Sequence, residues 1–194
     1  MKTRAELHEY WKNPEEKNSP KMYTNHPERT EYLVGLMQKY EPLAFFNPGI
    51  LEVGCNVGRN LKGLWDAGYH QISGVDINRD AIDLLIKTYG TSMNAIVYTG
   101  ALEDKLKELL GYSVVFSMCV LMHIHPDSEG VFAEIARLAQ EYIVTIEDEV
   151  KETWRHCPRN YKDVFEPFGF EQVFEEGVAW GEFGCMARVL KRIT

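Results

Sequence analysis

Residues 51–58, Leu-Glu-Val-Gly-Cys-Asn-Val-Gly, decide how this chain is read. An apolar run (Ile50, Leu51, Val53) stops at Gly54; Gly58 follows, and an amphipathic segment starts at Asn60. The pattern predicts a strand, a tight turn and a helix N-terminus. At such a junction, exposed backbone N–H groups and the positive end of a helix dipole converge on a polar or anionic ligand. A second signal lies downstream. Gly74-Val75-Asp76-Ile77-Asn78 reads as the next strand ending in a carboxylate, which suits the vicinal hydroxyls of a ribose. Together the two point to a nucleoside-containing cofactor.

The glycines narrow the choice. A dinucleotide fingerprint requires G-x-G-x-x-G after the strand. Counted from Gly54, those places hold Gly54, Asn56 and Arg59, so the close backbone approach to a pyrophosphate is lost. A nicotinamide oxidoreductase is disfavoured on that ground. The spacing acid-x-Gly-x-(Gly or small polar)-x-Gly is filled instead, by Glu52, Gly54, Asn56 and Gly58. This resembles motif I of the class I S-adenosylmethionine-dependent methyltransferases. Asn56 stands where many members carry glycine, but Asn tolerates positive φ better than most residues.

The resemblance runs on in family order through about residue 127. Tyr98-Thr99-Gly100-Ala101-Leu102-Glu103-Asp104 is similar to the family's third-strand exit, and Val114 to His123 to its fourth strand and the loop facing the transferred methyl. It implies S-adenosylmethionine as cofactor. Glu52, Gly54, Cys55, Asn56, Gly58 and Asn60 would shape its turn, with Asp76 and Ile77 at the ribose and Ala101, Leu102 and Glu103 at the adenine. Ser117 and Met118 would lie at the fourth-strand exit, with Tyr23 and Arg29 approaching the amino-acid end. Blander readings stand beside these: a solvated strand end for Asp76, a helix-start charge for Glu103, a packing residue for Ser117.

Methyl transfer from a sulfonium is an in-line displacement that needs alignment and, for a hydroxyl acceptor, loss of a proton. His123 is the first candidate for a base or a substrate hydrogen bond, because histidine titrates near neutrality and the family often carries one there; His125 is the second. Both can equally serve only to order the loop. Glu147, with Asp148 beside it, and the segment holding Trp154, Arg155, Arg159 and Tyr161 are candidates for the acceptor pocket, or else ordinary packing. His123, His125, Glu147, Asp148 and His156 match no recognised metal-ligand spacing, so no metal is expected.

The acceptor class follows from charge. The chain of 194 residues has a net charge of −8 and no basic stripe, so a nucleic-acid partner is not expected. A small-molecule acceptor, methylated at oxygen or nitrogen, is the reading that remains. The Gly-Cys-Asn-x-Gly-x-Asn-Leu run and the Leu-x-His-Ile-x-Pro-Asp loop resemble methylases of bacterial surface-sugar synthesis, which implies a sugar or nucleotide-sugar. A non-catalytic cofactor-binding partner of a larger enzyme is the alternative from another class. No run approaches a membrane span, no signal peptide is apparent, and the four cysteines form no C-x-x-C; a cytoplasmic protein with reduced thiols is expected.

Alternating patterns predict strands near 50–54, 72–76, 95–98, 113–119 and 141–147, with helices at 60–67, 79–88, 103–110 and 128–139. A helix near 158–167 then precedes strands at 170–175 and 184–190, separated by Gly177, Gly181 and Gly184. The fold class is therefore α/β: a Rossmann-like, doubly wound seven-stranded sheet, mostly parallel with an antiparallel last strand, and helices on both faces. Residues 1–48 are expected to form an N-terminal helical cap or lid, broken by Pro42, Asn47 and Pro48, and residues 49–194 the cofactor-binding domain.

Overall fold

The computed structural model describes residues 2–40, 49–180 and 183–193, with the backbone alone at Phe183. The break expected at Pro42, Asn47 and Pro48, and the turn glycine Gly181, lie outside the described residues. The strands are β1 (Ile50–Val53), β2 (Ile72–Asp76), β3 (Ile96–Thr99), β4 (Tyr112–Met118), β5 (Ala139–Glu147), β6 (Phe170–Trp180) and β7 (Phe183–Arg192). They form one sheet in the order β3-β2-β1-β4-β5-β7-β6. The first five run parallel, and β7 lies antiparallel between β5 and β6. All four residues of β1 are buried, as befits a central parallel strand covered on both faces.

Helices α1 (Arg4–Lys12), α2 (Pro27–Tyr40), α3 (Arg59–Asp66), α4 (Arg79–Tyr89), α5 (Leu102–Lys105), α6 (Gly130–Leu138) and α7 (Tyr161–Phe165) complete the molecule. One core joins Leu33, Leu36 and Met37 of α2 to Leu61, Leu64, Ile82 and Leu85 of α3 and α4. The other, on the opposite face, joins Leu102 and Leu106 to Val131, Phe132 and Ile135 of α6 and to Tyr161 and Phe165 of α7. The α2–α3 contact is close: a Cβ at Gly63 would lie 2.1 Å from Thr30 Cγ2. That approach brings Thr30 to the start of α3.

Local chemistry sets where elements start and stop. Thr3 and Glu6 form a reciprocal capping box that opens α1, with Thr3 N–H donating to Glu6 Oε2 at 2.9 Å. Asn78 caps α4 by accepting the Ala81 N–H at 2.9 Å. The helix expected over 103–110 stops at Lys105 and tightens into a 3₁₀ turn at Leu106–Glu108. There the Arg137 guanidinium, reaching from α6, donates to the Leu106 and Leu109 carbonyls. The helix expected from 158 starts at Tyr161, where the Asn160 side chain accepts the Lys162 N–H. β6 runs straight through Gly177, which pairs with Met186 rather than ending the strand. A Cβ there would meet nothing within 4 Å, so that edge position loses no packing by lacking a side chain.

Candidate active site

The chain runs from β1 outward through β2 to β3, then returns to lay β4 on the other side of β1. Ligands of such sheets sit beyond the strand carboxyl ends at this reversal. A cleft opens there. Its floor is the turn after β1, where Gly54, Asn56 and Gly58 all take positive φ (76°, 45° and 74°). A Cβ at Gly54 would fall 2.3 Å from Val120 Cγ2, so the turn and the loop after β4 are in direct contact. Only glycine satisfies both the φ and the contact.

Asp76 ends β2 against this turn. Its Oδ2 accepts the Asn56 N–H and its Oδ1 the Asn78 N–H, each at 2.8 Å. With the Ile77 N–H also acting on the carboxylate, at least one of its four lone-pair sites remains for a hydroxyl. Burial holds the Asp76 carboxyl above its ordinary value, against the pull of those N–H groups. Glu103 stands at the other side, accepting from Ser128 Oγ at 2.6 Å and paired with His8 Nε2 of α1 at 3.0 Å. Burial opposes its ionisation, but Ser128 and His8 outweigh that and bring its carboxyl below the usual range. Ile77, Ala101 and Leu102 line the wall between the two acids.

At the far end Glu52 is buried. It lines the cleft; its Oε1 accepts from Asn60 Nδ2 at 2.8 Å, while its buried Oε2 has no hydrogen-bond partner. Burial pushes this carboxyl up to about 8, with Asn60 and Arg59 pulling the other way. Arg59 opens α3 and crosses to Thr30 Oγ1 (3.0 Å), Asn60 Oδ1 (3.1 Å) and the Tyr23 carbonyl (3.3 Å). The cleft thus offers an acid pair for hydroxyls and a ring system, and an orphan carboxylate beside a guanidinium for an amino-acid zwitterion. Such a donor and acceptor set fits a nucleoside bearing an amino-acid tail.

The comparisons agree with the geometry. A family model described as a methyltransferase domain matches residues 50–141, from β1 into β5. Magnesium protoporphyrin IX methyltransferase from Synechocystis PCC 6803, solved with SAH and with SAM, shares the fold. Its SAH-bound form aligns with TM-score 0.78 over 98% of this chain and 100% of that one, at 14% identity. Residues 50–141 thus carry a methyltransferase domain, set in the fold of the class I S-adenosylmethionine-dependent methyltransferases. The chain is also similar to a Pyrococcus horikoshii protein provisionally assigned as an RNA methyltransferase (TM-score 0.70, 13% identity, 100% and 98% covered). A further similar structure is that of the cyclase SpnF (TM-score 0.67, 12% identity, 84% and 81% covered). At these identities the likeness shows the fold, not the reaction. Comparison with curated proteins returns no significant match.

Of the residues expected to hold the cofactor of this methyltransferase, most do line the cleft: Glu52, Gly54, Cys55, Asn56, Asn60, Asp76, Ile77, Ala101, Leu102, Glu103, Met118 and Tyr23. Gly58 and Ser117 do not. Gly58 lies behind the turn against Leu85, and Ser117 donates to buried Glu147. His123 lines the cleft, its ring 4.4 Å from that of Trp11 and 4.8 Å from that of His156. Its Nδ1 lies 3.0 Å from the Arg155 carbonyl, which can only accept, so Nδ1 carries the proton and Nε2 the lone pair. Burial, joined by the charges of His156 and Arg155, pushes the imidazole down to about 3. It is neutral at physiological pH.

His125 is not among the cleft residues; its Nδ1 accepts the Asp127 N–H at 3.0 Å and caps the turn at Pro126–Ser128. None of the five residues expected at the acceptor lines the cleft either. Glu147 and Tyr161 are fully buried beneath it. Arg155 stacks on Tyr10, Trp11 and Trp154, and Arg159 is tied to Glu129 and to the Ile124 carbonyl. Trp154 packs on Tyr10 and under Lys2. Arg155 and Trp154 thus fasten the N-terminal segment to the body.

The sequence reading missed Trp11, His8, Arg59 and Asn78. Asn78 and Arg59 carried a readable sign, a helix cap and a cation in the first turn after Gly58. Trp11 and His8 belong to the N-terminal cap that the sequence predicts, but nothing local marks them as the side chains that reach the cleft. Among the described residues, no group of three or more His, Cys, Asp or Glu is placed to hold a metal ion, and no helix is long and apolar enough to cross a membrane.

Proposed function

We propose that this methyltransferase modifies a small molecule at oxygen or nitrogen, with sugars and nucleotide-sugars the first acceptors to try. The carrying observation is that α1 roofs the cleft. Leu7, His8 and Trp11 line it together with His123 and Ile124, and the Trp11 carbonyl accepts from Asn78 Nδ2 at 3.1 Å. A cleft covered in this way suits a small acceptor better than a polymer, and the net charge of −8 argues the same way. Residues 2–26 serve in this reading as a lid over the cofactor, excluding water from the reacting atoms.

Asp76 would take the ribose hydroxyls, with the wall of Ile77, Ala101 and Leu102 against the adenine. Glu52 Oε2 and Arg59 would take the ammonium and carboxylate of the methionine end. The bound cofactor supplies an electrophilic methyl group on sulfur. His123 acts as a neutral hydrogen-bond acceptor that orients the nucleophile's O–H or N–H. An imidazole pushed down to about 3 is too weak a base to store the proton, which would pass to solvent as the bond from methyl to sulfur breaks and the bond to the nucleophile forms.

Calorimetry with S-adenosylmethionine and its demethylated product should give binding, and NAD none. Gly54→Arg should abolish it by driving a side chain into Val120. A labelled methyl donor offered to sugars, nucleotide-sugars, amines and bulk RNA should label a small molecule. Labelling of RNA alone would refute the acceptor class, and tight NAD binding the cofactor.

A further inference from the structure

Glu147, the last residue of β5, is completely buried and lies outside the cleft, yet donors crowd onto its carboxylate. Ser117 Oγ of β4 donates to Oε1, the Val120 N–H reaches the same oxygen at 3.1 Å, and the Met122 N–H reaches Oε2 at 3.3 Å. The segment so held begins at Cys119, a non-glycine residue with φ 59°, a conformation that persists only where surroundings enforce it. It supplies Cys119, Val120, His123 and Ile124 to the cleft wall, beside Met118 at the end of β4. Val120 is also the residue pressed on Gly54, so what fixes this loop fixes the contact between the acceptor side and the cofactor turn.

We propose that Glu147 is a positioning residue: by accepting Ser117 Oγ and the Val120 and Met122 N–H groups, it seats Val120 against Gly54 and His123 in the cleft. Nothing in the carboxylate touches the cofactor site. It acts through the loop, and the inference rests on the cofactor placement proposed above.

The charge state matters for a geometric reason. An ionised carboxylate accepts from every donor around it, whereas a protonated one turns an O–H toward N–H groups that need acceptors. Burial pushes Glu147 up to about 7, with Ser117 and the loop N–H groups pulling down, so the loop would tighten as pH rises through neutrality. The other titratable groups acting on this surrounding are Asp148, next in the chain, Tyr161 of α7 and Cys185 of β7. Tyr161 and Cys185 are pushed up by burial or by hydrogen bonding, and so stay un-ionised through that range.

Glu147→Gln replaces one acceptor oxygen with a donor, so at least one of the three donors meets another donor. Hydrogen–deuterium exchange should then speed up at residues 119–123, by about tenfold or more, with the sheet core unchanged. Affinity for S-adenosylhomocysteine should fall by about tenfold, the scale of one charged hydrogen bond. Affinity in the parent should rise between pH 6 and 8 more steeply than in the variant. Val189→Ala, which loosens buried β7 away from the cleft, should leave both loop exchange and affinity in place.

Parent-like exchange and affinity in Glu147→Gln would overturn the proposal, as would faster exchange spread evenly along the chain. If that variant does not fold, Ser117→Ala takes its place, and unaltered exchange at Val120 and Met122 would be equally fatal. A parent protein that does not bind S-adenosylhomocysteine would instead defeat the cofactor placement, while the exchange comparison would still judge the loop.

Discussion

His123 shows how far a side chain's chemistry is set by its neighbours. As free histidine it would share a proton near neutrality. Packed between Trp11 and His156 and donating to the Arg155 carbonyl, it is held neutral in a single tautomer. A positioned neutral acceptor contributes through orientation, so its removal should affect turnover more than cofactor affinity. His123→Ala is expected to keep S-adenosylhomocysteine affinity within about threefold and to lower kcat by about ten- to a hundredfold. Steady-state kinetics on the acceptor found by screening would check this. A kcat that does not change would reduce the ring to a loop brace. Because the imidazole is pushed down to about 3, the parent rate should show no His123 titration between pH 5 and 8.

At the scale of elements, α1 is the informative case. Leu7 is its only buried residue, so α1 is held to the body chiefly by polar and ring contacts. These are the His8–Glu103 pair, Asn78 Nδ2 to the Trp11 carbonyl, Trp11 on His123, and Arg155 under Tyr10, Trp11 and Trp154. Such contacts are each worth little, so the proposed lid motion would leave the core intact. His8→Ala should therefore speed S-adenosylhomocysteine release several-fold while moving the unfolding midpoint by less than about 2 °C. Stopped-flow Trp11 fluorescence and thermal denaturation measure the two. An unchanged release rate would show that α1 does not gate the cleft.

The same element shows why some candidates went elsewhere. The residue types at Trp154, Arg155, Arg159 and Tyr161 suited an acidic or ring-bearing acceptor. Their types do not say which surface they meet. In the fold, Arg155 meets the aromatic face of α1 and Arg159 meets Glu129 and the Ile124 carbonyl, where their charge organises the protein rather than a ligand. Glu147 was read as facing the strand ends, and it does lie there, but the loop after β4 folds over it.

For the molecule as a whole, buried ionisable groups set a distinct dependence of stability on pH. Glu52 and Glu147 are pushed from 4.5 up to about 8 and about 7, and Asp76 moves the same way. Above about pH 4.5 the unfolded chain has released protons that the folded state keeps. Their contribution is therefore full below that pH and is lost as pH rises through 7 and 8. His123 has the opposite sign. Its contribution is present above about 6.5 and is lost as pH falls toward 3. Between pH 6.5 and 8 the carboxyls outweigh the tail of the titration of His123 and of His156, which burial also lowers, with a slope of up to about 1.4 kcal/mol per pH unit for each proton held. The ligand-free protein should unfold at lower temperature at pH 8 than at 6.5, and Glu52→Gln should flatten that decline. A midpoint that rises over this window would contradict the assignment.

The sheet and its cofactor turn were legible in residues 50–127 because both rest on local chemistry. Apolar runs of strand length, a glycine forced by positive φ, an acid at a strand end and an asparagine at a helix start are each written within a few residues. The sequence by itself determined the alternation of β1 to β5, the reversed strand β7, and the chemical character of Gly54, Asn56, Asp76 and Glu103. The sequence places a helical cap at residues 1–48, but only the tertiary structure decided which of its side chains line the cleft, that His125 caps a turn, and that Glu147 lies under a loop. Those outcomes depend on which surfaces meet across the fold. Burial and neighbouring charge, which then set the ionisation of Glu52, His123 and Glu147, exist only once the chain has closed around them.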